Sequence, residues 1–263
     1  MAKESAASNQ TAEKLLLVLE ALARQTQPVK LVELAHQVGM NQSTCYRFVA
    51  ALQNAGYAAQ DRESGRYTLN LKLCSLSEMI KDRVSVTNLL HAFVAEASAL
   101  FQESAHLVQE ENRQIVYIDN VTVSSQSLIT RQYIGRTAPM YCTGVGKLFL
   151  LEYSPEELEE YIAGAGLTRL TQHTLSTGDA LRRALAFSRE NGYALDNEEC
   201  EIGVRCVAAP VRDYTGRTVA GLSVSGPASR VTDELIAAKL PAFLDIAARA
   251  SREMGYAQRD PVG

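Results

Sequence analysis

The chain has 263 residues with 26 Lys and Arg and 30 Asp and Glu, which gives a formal net charge of −4. That length allows one large domain or two of ordinary size. No apolar run approaches the roughly 18 residues that a membrane span needs, and the polar first ten residues carry no signal-peptide pattern. Five widely spaced cysteines indicate reduced thiols, so we expect a cytoplasmic protein without membrane association. Averaged over the chain, the acidic excess argues against a nucleic-acid partner.

The charge is unevenly distributed along the chain. Residues 1–83 carry ten basic and eight acidic side chains, whereas residues 84–263 carry sixteen and twenty-two. Between Glu33 and Asp61 there is no carboxylate, and Arg47 is the only full charge. A surface that meets phosphates excludes carboxylates, because like charges repel. The gap therefore favours DNA binding by the N-terminal part, and a buried neutral stretch is the alternative.

The spacing of apolar residues predicts three helices in this part. They cover residues 11–23, 31–38 and about 42–54. Gly39 is expected to end the second helix and Gly56 the third, because glycine adopts the left-handed conformation at low cost. Two helices joined by a turn with glycine form a helix-turn-helix, in which Ala35 is small enough for the helices to cross. An ordinary helical hairpin with a polar face is the alternative.

The third helix has the features of a recognition helix. Asn41 is its predicted N-cap, and Cys45 and Phe48 are predicted to face inward. Recognition helices present their N-terminal end to base edges, where Arg can read guanine and Gln can read adenine. Hydroxyl groups can position phosphates. The residues of this helix that we expect to meet DNA are Gln42, Ser43, Thr44, Tyr46 and Arg47.

A hairpin follows the third helix directly. Residues 57–60 and 66–69 are strand-like and flank a polar turn that ends at Gly65. A hairpin in this position is the wing of a winged helix, and it would bring Arg62 and Arg66 to phosphates or the minor groove. Residues 71–82 predict a helix that connects two domains. We therefore predict a winged helix over 1–69, a linker helix over 70–84 and a second domain over 85–263.

The second domain mixes helices with strands in hairpins, which predicts an α+β fold on an antiparallel sheet. The predicted helices cover 86–101, 179–191 and 233–254, the last of them capped by Thr232. The predicted strands cover 105–109, 115–121, 204–211 and 218–225.

Three stretches imitate catalytic or metal motifs. A P-loop would need glycine at Tyr141 and Ser or Thr at Leu148. The nucleophile-elbow pattern that begins at Gly221 ends in Ser225 instead of glycine. The candidate zinc ligands, which form no compact pair, are His106, Cys142, Cys200 and Cys206. We therefore expect no metal, no cofactor and no enzyme activity. There are two alternatives. One is a small hydrolase that uses Ser223 or Cys206, and the other is a scaffold whose winged helix binds protein.

Four blocks resemble the IclR family of bacterial transcriptional regulators. They are residues 31–70, APMYCTGVGKLFLL at 138–151, GYALDNEECEIGVRCVAAPV at 192–211 and GLSVSGP at 221–227. The resemblance implies a winged helix, a linker helix and an effector domain with a six-stranded antiparallel sheet related to GAF and profilin-like folds. It also implies homodimers or dimers of dimers on palindromic double-stranded operator DNA, serving as repressors or activators. Where the family often has Lys or Arg, this chain has Gln42, and Lys30 supplies an alternative phosphate contact.

The resemblance also implies an effector site for a small organic acid. Its family positions correspond here to Gly144, Val145, Asp196, Val204, Cys206, Ser223 and Ser225. We add Tyr141 and Arg131 as nearby polar groups, since Arg can bind a carboxylate with two hydrogen bonds. Gly144 and Gly146 are expected to let a ligand approach the backbone and a helix N-terminus. Residues 141–147 are similar to family members that respond to sugar acids such as 2-keto-3-deoxygluconate. An aromatic acid stacked on Tyr133 and Tyr141 is the alternative effector, and control of a catabolic operon is the expected role.

Overall fold

The computed structural model describes residues 9–81, 85–123 and 132–257. The chain divides into two compact units between Val84 and Ser85. The first unit has one hydrophobic core, and the second unit has two.

The first unit is a three-helix bundle followed by a hairpin and a fourth helix. Its elements are α1 (Gln10–Ala23), α2 (Leu31–Gln37), α3 (Gln42–Asn54), β1 (Ala58–Gln60), β2 (Tyr67–Leu69) and α4 (Lys72–Lys81). Val18 of α1, Leu34 of α2 and Val49 of α3 are fully buried against one another. The order and packing confirm the predicted winged helix.

The turn between α2 and α3 forms as predicted. Gly39 has a φ of +63°, and the N–H of Met40 donates to the carbonyl of Ala35 at 2.9 Å. The side chain of Asn41 caps α3 by accepting from the N–H of Thr44 at 2.8 Å. Local sequence therefore defines the angle at which the recognition helix leaves the turn.

The wing is a short antiparallel hairpin closed by a hydrogen-bonded turn. Gly65 has a φ of +68°, and Asp61 Oδ1 accepts from the N–H and the hydroxyl of Ser64 at 2.7 and 2.6 Å. Helix α4 packs on the rest of this unit where it begins, since Lys72 Nζ donates to the carbonyl of Ala55 at 2.7 Å and lies over the ring of Tyr57. Residues 82–84, the end of the predicted linker helix, lie outside the described residues.

The second unit is an antiparallel sheet with helices on both faces. Its elements are α5 (Val86–Phe101), β3 (Ser104–Glu111), β4 (Gln114–Val121), β5 (Thr137–Pro139), α6 (Gly144–Leu150), α7 (Pro155–Ala165), α8 (Gly178–Asn191), β6 (Ala194–Asn197), β7 (Val204–Arg212), β8 (Thr218–Pro227) and α9 (Asp233–Glu253). The strand order is β5-β4-β3-β8-β7-β6, which confirms the predicted six-stranded antiparallel sheet. Thr232 caps α9 as predicted. In the described parts of the chain, no helix is long and apolar enough to cross a bilayer.

The two faces of the sheet carry different cores, because side chains alternate along each strand. Leu107, Leu222 and Val224 belong to the core that includes α5 and α9, where the rings of Phe101 and Phe243 meet edge to face at 5.6 Å. The opposite face carries its own core, with α6, α7 and α8. We call this second side the α6 face of the sheet.

The sequence pattern missed β5, β6 and α7. Strands β5 and β6 have three and four residues, too few for a hydrophobic period to be visible. Helix α7 did carry a signal in the sequence. Ser154 and Glu157 form a capping box around Pro155, the first residue of the helix. Glu157 N donates to Ser154 Oγ at 3.2 Å, and Ser154 N donates to Glu157 Oε2 at 2.7 Å.

Candidate DNA interface and effector site

The N-terminal end of α3 presents polar side chains on one exposed surface. Gln42, Ser43, Tyr46 and Arg47 are exposed, and Thr44 is half-buried. The opposite side of the helix is buried, with Cys45, Val49 and Leu52 in the core. The structure thus places the five predicted DNA contacts of this helix at its accessible end.

Lys14 of α1 is a basic residue that sequence reasoning missed. It lines a groove of about 530 Å³ between α1 and α3, together with Thr44 and Arg47. Lys14 is exposed and lies one helical turn before the buried Val18 of α1. Its positive charge was the available signal, but only the packing of α1 on α3 brings Lys14 beside Arg47.

The other predicted DNA contacts differ in accessibility. Arg62 is exposed in the turn of the wing, and Lys30 is exposed at the start of α2. Arg66 is half-buried, and its Nη1 donates to the carbonyl of Pro28 at 3.1 Å. Arg66 therefore joins the wing to the segment before α2, so that part of its guanidinium is occupied within the protein.

Most of the predicted effector residues lie together on the α6 face. Asp196 of β6 pairs with Cys206 of β7, which pairs with Ser225 of β8. Residues directly opposite on antiparallel strands point to the same side, so these three side chains form one row. Ser223 and Val204 occupy positions two residues along β8 and β7 on the same face.

The glycines near α6 have a packing role that corrects our expectation of ligand access. A Cβ on Gly146 would lie 2.3 Å from both Cα and the carbonyl oxygen of Met140. A Cβ on Gly144 would lie 3.2 Å from the Cβ of Ala208. The space beside both glycines is therefore filled by the protein. The N–H of Gly146 also donates to Thr143 Oγ1 at 3.2 Å, and the seven-residue helix is buried throughout.

Val145 packs onto the sheet through another glycine. A Cβ on Gly221 would lie 2.2 Å from Cγ1 of Val145. Helix α6 can approach strand β8 this closely only because position 221 has no side chain. Gly144 and Val145, two of the predicted effector contacts, thus pack against the sheet on its α6 face.

Of the two residues that we added to the site, the structure describes only Tyr141. The hydroxyl of Tyr141 donates to the carbonyl of Thr168 at 2.8 Å, and Tyr141 N donates to Tyr161 Oη at 3.1 Å. Tyr141 lines a cleft of about 610 Å³ on the α7 side. Tyr133, the other residue predicted to stack on an aromatic ligand, is 68% exposed. Arg131 lies outside the described residues.

The polar groups of the α6 face are largely uncharged, because burial favours their neutral forms. Burial, and then the charge of Glu199, raises the pKa of Asp196 to about 7, although its Oδ1 accepts from the N–H of Glu199 at 2.7 Å. Burial raises the pKa of Cys206 to about 12 and lowers that of His106 to about 4. At neutral pH this surface offers a thiol, a neutral imidazole, hydroxyls and a partly protonated carboxyl group.

The Asp196 carboxyl predicts a pH dependence of stability. Its pKa is higher in the folded chain than in the unfolded one, so its stabilising protonation is complete below about pH 4 and is lost as the pH rises through about 7. Asp196→Asn removes this contribution and keeps an acceptor for the N–H of Glu199. We expect the variant to become more stable relative to the wild type as the pH rises from 5 to 8. Urea unfolding at each pH measures the difference, and a difference that is constant with pH would contradict the assignment.

The same groups do not form a hydrolase site. Cys206 stays a thiol at neutral pH, whereas the nucleophile is the thiolate. Ser223 lies opposite His106, but neither ring nitrogen of His106 makes a hydrogen bond within the described residues. A serine nucleophile needs a base within hydrogen-bond distance. Among the described residues there is also no group of three His, Cys, Asp or Glu side chains that could hold a metal.

Sequence reasoning did not assign two aromatic groups of this face to the effector site. His106 of β3 and Tyr117 of β4 contact edge to face, with ring centroids 5.4 Å apart. Burial raises the pKa of Tyr117, and the nearby Cys206 raises it further. The available signal was alternation along β3, which places His106 on the same side as the buried Val108 of the α6 core. The pairing of β3 with β8 could not be predicted from local sequence patterns, because the two strands are far apart in the chain.

A winged helix with an exposed polar recognition helix, joined to a sheet domain with a buried polar face, defines a DNA-binding regulator with a sensor domain. The model of the bacterial transcriptional regulator IclR C-terminal domain matches residues 79–252, and that of the IclR helix-turn-helix domain matches residues 11–62. The chain belongs to the IclR family of transcriptional regulators. It is a regulator of transcription and not an enzyme.

Similar proteins span nearly the whole chain. The HTH-type transcriptional regulator KdgR of Escherichia coli is 35% identical, with 92% of each chain covered. The HTH-type transcriptional regulator XynR of Escherichia coli is 32% identical, with 94% of this chain and 98% of that protein covered. The crystal structure of the Thermotoga maritima IclR is 31% identical and matches with a TM-score of 0.61, covering 94% of this chain and 99% of that one.

Proposed function

We propose that the protein controls a catabolic operon in response to a sugar acid. The protein binds a palindromic operator as a homodimer or a dimer of dimers. The N-terminal end of α3, together with Lys30 and Arg62, contacts the DNA. The sugar acid binds over the α6 face and changes operator affinity. A ligand can shift an equilibrium between two arrangements only by its differential affinity for them.

The observation that carries the effector class is the buried polar row of the α6 face. A sugar acid presents many hydroxyl groups and one carboxylate. Ser223 and Ser225 offer hydroxyls, and Asp196 is a donor when protonated and an acceptor when charged. The resemblance of residues 141–147 to sugar-acid-responsive family members and the similarity to KdgR and XynR support the same class.

Arg47→Ala tests the DNA-binding part of the proposal. Loss of one good base contact costs about 1–3 kcal/mol, so we expect operator affinity to fall about 5- to 150-fold. Binding to random duplex should change much less. Fluorescence anisotropy with a labelled fragment from upstream of the chain's own gene and with a random duplex measures both affinities at fixed salt.

Arg24→Ala is the matched control for charge, since Arg24 is exposed in the same unit and forms an ion pair with Glu20 at 3.4 Å on the surface of its own helix. We expect this control to bind the operator nearly as the wild type does. Equal weakening of cognate and random DNA by Arg47→Ala would make Arg47 a phosphate contact instead of a base contact.

Sugar acids test the effector part. A ligand that binds the native state raises its melting temperature, so gluconate, galacturonate and 2-keto-3-deoxygluconate should include at least one stabilising compound. The same compound should change operator affinity in the anisotropy assay. A response to benzoate and its relatives with none to sugar acids would favour the aromatic-acid alternative.

A further inference from the structure

His106 is a buried imidazole that has no hydrogen-bond partner in the part of the chain that the structure describes. It is 1% exposed, and neither Nδ1 nor Nε2 has a partner within residues 9–81, 85–123 and 132–257. Most buried polar side-chain atoms are hydrogen-bonded, and leaving one unpaired destabilises the folded protein. A phenylalanine would fill the same space without that cost, so packing alone does not account for an imidazole here.

The position of the ring connects it with the proposed effector site. His106 lies directly opposite Ser223 in the register of β3 and β8, so both side chains project from the α6 face. Its ring is held edge to face against Tyr117. The row formed by Asp196, Cys206 and Ser225 is the next one along the sheet. The unpaired nitrogens therefore lie among the polar groups that the proposed ligand would contact.

The protonation state of the ring defines what it can recognise. Burial lowers the pKa of His106 to about 4, so the ring is neutral at neutral pH. A neutral imidazole donates from one nitrogen and accepts at the other. The two ring nitrogens point away from each other, so a ligand satisfies both only with an acceptor and a hydroxyl group that lie several atoms apart. A polyhydroxylated sugar acid carries its carboxylate and its distal hydroxyl groups at such separations.

We propose that His106 is a specificity-determining residue of the effector site, which donates to a carboxylate or keto oxygen of the effector and accepts from one of its hydroxyl groups. This inference rests on the proposed function. Because a site built to bond a polar group discriminates strongly against analogues that lack it, His106 would select hydroxylated acids over plain carboxylic acids.

His106→Phe is the main test. The variant keeps an aromatic ring beside Tyr117 and removes both nitrogens. Calorimetric titration with 2-keto-3-deoxygluconate, gluconate and galacturonate should give a Kd that is 10- to 100-fold higher than that of the wild type. The melting temperature without ligand should be equal or higher, since the two unpaired ring nitrogens are removed. Loss of binding with gain of stability is an outcome that a packing role does not produce.

Two further variants keep the test decisive. His106→Gln retains one donor and one acceptor, so it should bind the acid within about tenfold of the wild type, and it replaces the Phe variant if that one does not fold. His91→Phe is the control, because His91 of α5 pairs with Asp119 at 2.7 Å on the other side of the sheet. It should leave the Kd unchanged.

The outcomes separate this inference from the function on which it rests. If the wild type binds none of the three acids, the proposed effector class fails and the inference fails with it. If the wild type binds one of them and His106→Phe binds it equally well, the function stands and the role of His106 is overturned. Tight binding by His106→Phe and not by His106→Gln would also overturn it.

Discussion

Replacing Gly146 with alanine should lower the free energy of unfolding by about 3 kcal/mol or more. The new methyl group would lie 2.3 Å from the backbone of Met140, a contact that no rotamer change can relieve. It would also lie 2.5 Å from Thr143 Oγ1. Displacing Thr143 would also cost the cap of α6, about 1 kcal/mol. Urea unfolding followed by circular dichroism measures the loss.

Gly164→Ala is the matched control in a neighbouring helix. A Cβ at position 164 meets no atom within 4 Å, and the residue lies in α7. Alanine is favoured over glycine inside a helix by about 1 kcal/mol, so this variant should be equally stable or slightly more stable than the wild type. If Gly146→Ala behaved like Gly164→Ala, the close approach of α6 to Met140 would be wrong.

Replacing Lys147 with methionine should destabilise the protein by about 3–5 kcal/mol, since one partner of a buried ion pair is removed. The Lys147 and Glu199 side chains are 3% and 7% exposed, and their Nζ and Oε1 atoms lie 2.5 Å apart. Lys147 Nζ also donates to the carbonyl of Leu195 at 2.6 Å. Without the lysine, Glu199 would remain as a buried carboxylate without its counter-ion.

Two comparisons isolate the cause of that loss. Arg182→Met breaks a half-exposed pair with Glu159 at a similar distance, 2.6 Å, and should cost less than about 1 kcal/mol because water screens it. Lys147→Met combined with Glu199→Leu removes both charges and should recover more than half of the stability. A double variant as unstable as the single one would mean that packing, and not the unpaired carboxylate, causes the loss.

Both predictions concern the support of the proposed effector site. Glu199 holds Asp196 through a backbone hydrogen bond at 2.7 Å, and Lys147 holds Glu199. Helix α6, which carries Lys147, packs on β8 at Gly221, two residues before Ser223. The polar row of the α6 face therefore depends on α6 for its geometry, although no side chain of that helix is required to touch the ligand.

The N-terminal domain was predictable almost in full because its determinants are local. The cap at Asn41, the left-handed turn at Gly39 and the Gly65 turn each involve residues a few positions apart. Arg66 shows where that reasoning ended. Its hydrogen bond to Pro28 spans 38 positions, so a wing arginine that looked free for DNA is partly occupied within the protein.

In the second domain, local patterns were enough to predict the hairpins, the long helices and the family blocks. The role of those blocks depends on contacts between parts of the chain that are far apart in sequence. Gly144 and Gly146 looked like an opening for a ligand, yet they are sites of close packing, because the atoms that fill the space come from the approach of Met140 and from the distant Ala208. The proposed role of His106 depends on the pairing of β3 with β8, which places His106 opposite Ser223. Local patterns determine which element forms, whereas the pairing of strands far apart in the chain decides which polar groups share a face.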